Sequence, residues 1–116
     1  MSQTGSYSIF VNQTEKTIDM SVKGTFTPQQ AKDFHNDYQS KVGSINANNF
    51  TLKVDCKNMN IITQEMLPAL ETSFKMYKDS QFDKVEFIIE KSPVIKMQLS
   101  RIARNAGLAN SEVIEV

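Results

Sequence analysis

The sequence predicts one mixed α/β domain with a mainly parallel sheet and elements in the order β-β-α-β-α-β-α-β. Two neighbouring N-terminal segments alternate apolar and polar residues, as the strands of a hairpin do. Three later stretches carry apolar residues three and four apart, and each is followed by a further short strand-like run. Helices placed between strands imply parallel pairing through right-handed crossovers, which leaves only the opening hairpin antiparallel.

Residues 1–6 are expected to be a flexible polar start, with a single domain over 7–116. Tyr7, Ile9 and Val11 alternate with polar neighbours; Ile18, Met20 and Val22 repeat the pattern after the polar connection Asn12-Gln13-Thr14-Glu15-Lys16. In Thr27-Pro28-Gln29-Gln30 a Thr N-cap, a proline at the first helical position and a capping-box Gln open the first helix. Ala31, Phe34, Tyr38 and Val42 then share one face, and Gly43 offers a stop. Phe50, Leu52, Val54 and Cys56 mark a third strand. Thr63 is the candidate N-cap of a second helix that turns Met66, Leu67, Leu70, Phe74 and Tyr77 towards the sheet. Pro68 lacks the N–H that a helical bond needs after the first turn, which moves the expected start towards Leu67. Val85 to Glu90 is the fourth strand. Ser92-Pro93 opens the third helix, Ile95, Leu99, Ile102 and Ala106 form its buried stripe, and Gly107 closes it. Ser111 to Val116 is the last strand.

The 116 residues are 40% hydrophobic and 22% charged, which fits one compact domain and excludes a two-domain enzyme. At this length roughly two thirds of the unfolded chain's surface can be buried, so a core forms without disulfides or a structural metal. Cys56, the single cysteine, can make no internal bridge and belongs to no ligand cluster. Thirteen Lys and Arg balance thirteen Asp and Glu. That balance argues against nucleic acid as a partner, because phosphate affinity grows with the number of phosphates neutralised. Apolar runs such as Phe87-Ile88-Ile89 fall far short of the roughly 20 residues that cross a bilayer, so no transmembrane segment is expected. The start Met1-Ser2-Gln3-Thr4-Gly5-Ser6 lacks a positive n-region, and with a free cysteine it makes the cytoplasm the expected location.

Chemistry-bearing residues are few. His35 adjoins Phe34 on the first helix without a second histidine or a motif-borne nucleophile, so a place on the helix flank is expected rather than catalysis. Cys56 shares the apolar set of its strand and should act as a small hydrophobe. Asp55 closes a parallel strand, and ligands of open α/β sheets bind beyond the carboxyl ends of strands. A carboxylate there either meets a ligand or hydrogen-bonds the loop that follows. Gly5, Gly24, Gly43 and Gly107 are isolated, which excludes a phosphate-cradling loop and a dinucleotide fingerprint; no cofactor is expected. Between Lys91 and Ser111 there are four basic residues and no acidic one, whereas residues 1–90 carry nine basic and eleven acidic. Arg101 and Arg104 therefore mark either a solvated helix exterior or a docking patch for an acidic protein or anionic surface.

An opening hairpin followed by three α/β units, with a strand ending in Val54-Asp55, a short loop and an amphipathic helix, resembles the STAS domain, the SpoIIAA-like fold of anti-sigma-factor antagonists. The resemblance spans about Tyr7 to Val116. It implies a non-enzymatic, cytoplasmic bacterial regulatory module that binds another protein. It also implies an Asp-Ser-Ser/Thr-Gly signature after the loop, whose hydroxyl a partner kinase phosphorylates. The corresponding window here is Ile62-Thr63-Gln64-Glu65-Met66, where Thr63 is the only hydroxyl and Glu65 stands near the phosphoacceptor position. A carboxylate at a helix start is favoured by the dipole and carries part of a phosphate's charge, so switching by the usual serine phosphorylation is not expected.

The leading expectation is thus a protein-interaction module with no catalytic, cofactor or metal residues. Its candidate partner-binding residues are Asp55, Asn58, Asn60, Thr63, Gln64 and Glu65, extended by Arg101 and Arg104. The alternative is a small-molecule or lipid-binding domain like the SpoIIAA branch that resembles the CRAL-TRIO architecture. Six methionines and seven phenylalanines could line its pocket, although most fall on stripes expected to be core. The oligomeric state stays open: the hairpin edge could pair with a second copy, or Lys16 and Lys23 could protect it.

Overall fold

The computed structural model describes residues 6–24, 28–57, 64 and 67–116. The hairpin forms as the alternation requires. Strands β1 (Ser6–Asn12) and β2 (Thr17–Lys23) pair antiparallel, with Tyr7 opposite Val22, Ile9 opposite Met20 and Val11 opposite Ile18. Both apolar sets therefore lie on one face, since side chains of a strand change face at every residue. The Glu15 N–H donates to Asn12 Oδ1 at 3.0 Å and fixes the turn. β1 begins at Ser6, within the segment expected to be flexible.

Helix α1 (Pro28–Val42) buries Ala31, Phe34, Tyr38 and Val42, the four residues of its predicted stripe. Its expected cap, Thr27, lies outside the described residues. A single 3-10 turn, Ala47–Asn49, follows with no periodic signal to announce it and leads into β3 (Thr51–Asp55). Helix α2 (Leu67–Ser80) starts at Leu67 and places Pro68 in its first turn, where no helical partner is lost. Helix α3 (Pro93–Ala106), between β4 (Lys84–Ile89) and β5 (Ser111–Glu115), is capped at both ends. Ser92 Oγ accepts the Ile95 N–H at 3.3 Å, and Pro93 is the first helical residue. At the other end Gly107 takes φ 78°, the Leu108 N–H reaches the Ala103 carbonyl at 2.9 Å, and the Gly107 N–H reaches the Arg104 carbonyl at 3.1 Å. That left-handed closure favours a residue without Cβ.

The sheet order is β1-β2-β3-β4-β5, with β2 to β5 parallel. Every strand lies beside its neighbours in sequence. One core cluster joins Ile9, Ile18, Met20, Leu52, Val54, Val85, Phe87 and Ile89 of the strands to Phe34, Tyr38, Phe74, Tyr77, Leu99 and Ile102 of the three helices. All these strand residues belong to one alternating set. The helices therefore cover a single face, and among the described residues nothing packs over the opposite, open face.

The sequence contains the reason. Central parallel strands covered on both faces are apolar throughout, but β3 reads Thr51-Leu52-Lys53-Val54-Asp55 and β4 begins Lys84-Val85-Glu86-Phe87. Setting a helix over Lys53 and Glu86 would desolvate charge at a cost of several kcal/mol per ion. Across the open face Phe10, Asp19, Lys53, Glu86 and Glu112 stand in one cross-strand row. Lys84 Nζ lies 3.1 Å from Glu112 and 3.4 Å from Glu86. The hydrogen bond to Glu112 is the main reason that its ammonium is held above the usual lysine range.

Candidate functional site

Asp55 ends β3 with its side chain on the open face, since it alternates with buried Val54 and Cys56. Its Oδ1 accepts the Lys57 N–H at 3.0 Å, and its Oδ2 is 3.9 Å from Lys57 Nζ. The carboxylate thus orders the start of the loop that leads to α2, an Asx turn of the kind aspartate makes locally. Gln64 is exposed, and its carbonyl accepts the Leu67 N–H at 3.3 Å. Asn58, Asn60, Thr63 and Glu65 lie outside the described residues.

Arg101 and Arg104 are exposed on α3, as their spacing opposite the buried stripe requires. The topology separates them from Asp55. α3 starts beyond the carboxyl end of β4 and runs back to the amino end of β5, and Arg104 sits in its last turn. At about 1.5 Å per residue it is roughly 16 Å along the axis from Pro93. Asp55 and the arginine pair lie on two surfaces rather than one.

Two chemically suggestive groups have structural roles. The Ser73 hydroxyl donates to the Ala69 carbonyl at 3.0 Å, so at 2.8 Å it accepts from His35 Nε2–H. In that arrangement the imidazole is a donor joining α1 to α2, the reverse of what a general base for serine requires. Burial lowers the His35 pKa and keeps the neutral ring in place. Cys56 is buried in the core, and desolvation, with the neighbouring Asp55 charge adding to it, pushes its thiol up to about 12. A thiol in that state is no nucleophile at neutral pH.

Among the described residues, open clefts lie at the amino ends of the parallel strands. One, of about 400 Å³, runs between the C-terminal turns of α1 and α2 beside Tyr38, Val42 and Ala47. Another, of about 350 Å³, separates the end of α3 from β5 and is bordered by Ser100, Arg104, Leu108 and Ser111. Among the described residues no helix is long and apolar enough to cross a membrane.

The open sheet face is the feature that sequence reasoning missed. Its signal was present in the polar residues that alternate through the two central strands, Lys53 and Asp55 on β3 and Lys84 and Glu86 on β4.

The sequence matches no protein-family model and no curated protein. In structure the chain is similar to an uncharacterized protein from the DUF3478 family with a SpoIIAA-like fold from Shewanella loihica PV-4, at a TM-score of 0.68 and 12% sequence identity. The likeness covers 97% of this chain and 86% of that one. A hairpin, three further parallel strands and three helices on one face, matched over nearly the whole length, make this a SpoIIAA-like fold.

Proposed function

We propose that the protein is a non-enzymatic, cytoplasmic STAS-like regulatory module that works by binding another protein, without a serine phosphorylation switch. One observation carries the reading. A SpoIIAA-like fold spans 97% of the chain, yet the stretch from Asp55 to the start of α2 contains a single hydroxyl, Thr63, with Glu65 two residues on. The roles of His35 and Cys56 in packing support it, since neither is poised for group transfer. The binding surface is Asp55 and the stretch that follows it in sequence, with Asn58, Asn60, Thr63, Gln64 and Glu65.

The small-molecule or lipid reading draws less support. Five of the seven phenylalanines, Phe34, Phe50, Phe74, Phe82 and Phe87, are core residues, as is Met20. Side chains that fill the core are not available to line a pocket.

Affinity capture from a lysate with the wild-type chain and a Glu65→Lys variant tests the loop. Wild type should retain a protein that the variant loses; equal recovery by both refutes the assignment. Native mass spectrometry of the purified chain should show a bare mass, whereas a lipid or metabolite retained in repeated preparations would overturn the choice between the two readings.

A further inference from the structure

We infer that the outward side of α3 is a docking seam for an acidic amphipathic helix of a protein partner, with Val94 and Met97 taking its apolar side chains and Arg101 and Arg104 its carboxylates. This rests on the reading of the chain as an interaction module but assigns a surface away from the Asp55 loop.

The four residues are spaced three, four and three apart. On a helix they fall within an arc of about 80° and run about 15 Å along the axis. Ile95, Leu99, Ile102 and Ala106, which face the core, occupy roughly the opposite side. A three-four repeat is the spacing with which one helix lies lengthwise along another. α3 thus has an inner stripe that the sheet covers and an outer one that nothing covers among the described residues.

The composition of the outer stripe specifies its occupant. Val94 is 46% exposed and Met97 55%, large apolar side chains standing in water one turn apart. The guanidiniums of Arg101 and Arg104 have no ion-pair or hydrogen-bond partner among the described residues. By contrast, Lys96 on the same helix meets Glu115 at 3.2 Å, and Lys84 on the open sheet face sits between two glutamates. Two unmatched guanidiniums beside two exposed hydrophobic side chains complement a helix with an apolar turn followed by a carboxylate-bearing one. An anionic bilayer fits less well. Surface-seeking helices insert a broad apolar face, and the broad apolar face of α3 is already in the core.

The test uses the full chain, isotope-labelled for NMR, and a synthetic helical peptide with leucines on one turn and glutamates on the next. A twin peptide carries lysine for each glutamate. The acidic peptide should shift the resonances of Val94, Met97, Arg101 and Arg104. Arg101→Glu/Arg104→Glu should weaken it about tenfold, the scale of losing two interfacial charge pairs and meeting repulsion instead. The lysine peptide should bind that variant in preference to wild type, which shows that the variant is folded. Met97→Ala should weaken the acidic peptide without changing its salt dependence. Shifts confined to other elements, or equal affinity for wild type and the charge-reversed variant, overturn the assignment. So does co-sedimentation with vesicles of about 30% phosphatidylserine that the reversal abolishes while the peptide fails to bind. Lysate capture with both variants separates the two surfaces: a partner lost by Glu65→Lys and kept by Arg101→Glu/Arg104→Glu upholds the module reading and removes the α3 seam.

Discussion

Phe87 and Ile88 are neighbours on β4 that should differ several-fold in what their truncation costs. Phe87 is 1% exposed, stacks on Phe74 with ring centroids 4.7 Å apart and planes at 11°, and lies 6.3 Å from Tyr77. Phe87→Ala removes this buried area and leaves a cavity walled by two rings, for a loss of about 3–5 kcal/mol. That is a large part of the roughly 5–15 kcal/mol that holds a domain together, and at about 4 °C per kcal/mol it lowers Tm by about 12–20 °C. Ile88 points to the open face, in register with Asp55 and Ile114, and is half-buried. Ile88→Ala loses part of a side chain's transfer energy and leaves no enclosed cavity, a cost of about 1 kcal/mol. Urea titration followed by circular dichroism measures both, and equal slopes would show that the denatured state is unchanged. A loss of 3 kcal/mol or more for Ile88→Ala would mean that something covers that face and would refute the one-sided sheet.

Gly107→Ala should cost about 1–2 kcal/mol, because a Cβ is disfavoured at φ 78°. The nearest atom to that Cβ is the mobile end of Lys78, 3.1 Å away, so steric conflict adds little; Gly107→Asn should lose less in the same titration. His35 should make stability fall as pH drops. Its folded pKa lies below the unfolded value of 6.5, so below about pH 6.5 the unfolded chain takes up a proton that the folded one resists. Thermal melts of His35→Gln should lack that part of the decline, and an unchanged profile would contradict the burial of the ring. Cys56 should react with a thiol reagent at the rate of global opening, and rapid labelling of the native chain would show that its strand end is not closed.

Most of the architecture was legible because local and long-range signals agreed. Ser92, Pro93 and Gly107 mark the ends of α3 with residues whose reasons are purely local: an oxygen for an orphan N–H, a ring that fixes φ, and a missing Cβ. The hairpin register followed from two alternating sets with a polar turn between them. The 3-10 turn Ala47–Asn49 was not legible, since Ala-Asn-Asn has no periodicity and its one buried side chain, Ala47, is set by tertiary packing. Asp55 illustrates the limit at the site. Its position at a strand end is readable, but whether its carboxylate meets a ligand or its own loop depends on the turn at Lys57. The distance between Asp55 and the arginines of α3 is likewise a property of topology, which residue types along the chain do not encode.

The strictly sequential strand order has a consequence for how the chain is made. β2 joins β1, β3 joins β2, β4 joins β3 and β5 joins β4, so no strand has to be inserted between two already placed. Each unit leaving the ribosome finds its pairing edge already present, and its helix closes over the same side as the one before. Such a chain can condense from its first hairpin outward, exposing one fresh strand edge at a time, which limits the unpaired edge available for aggregation during synthesis.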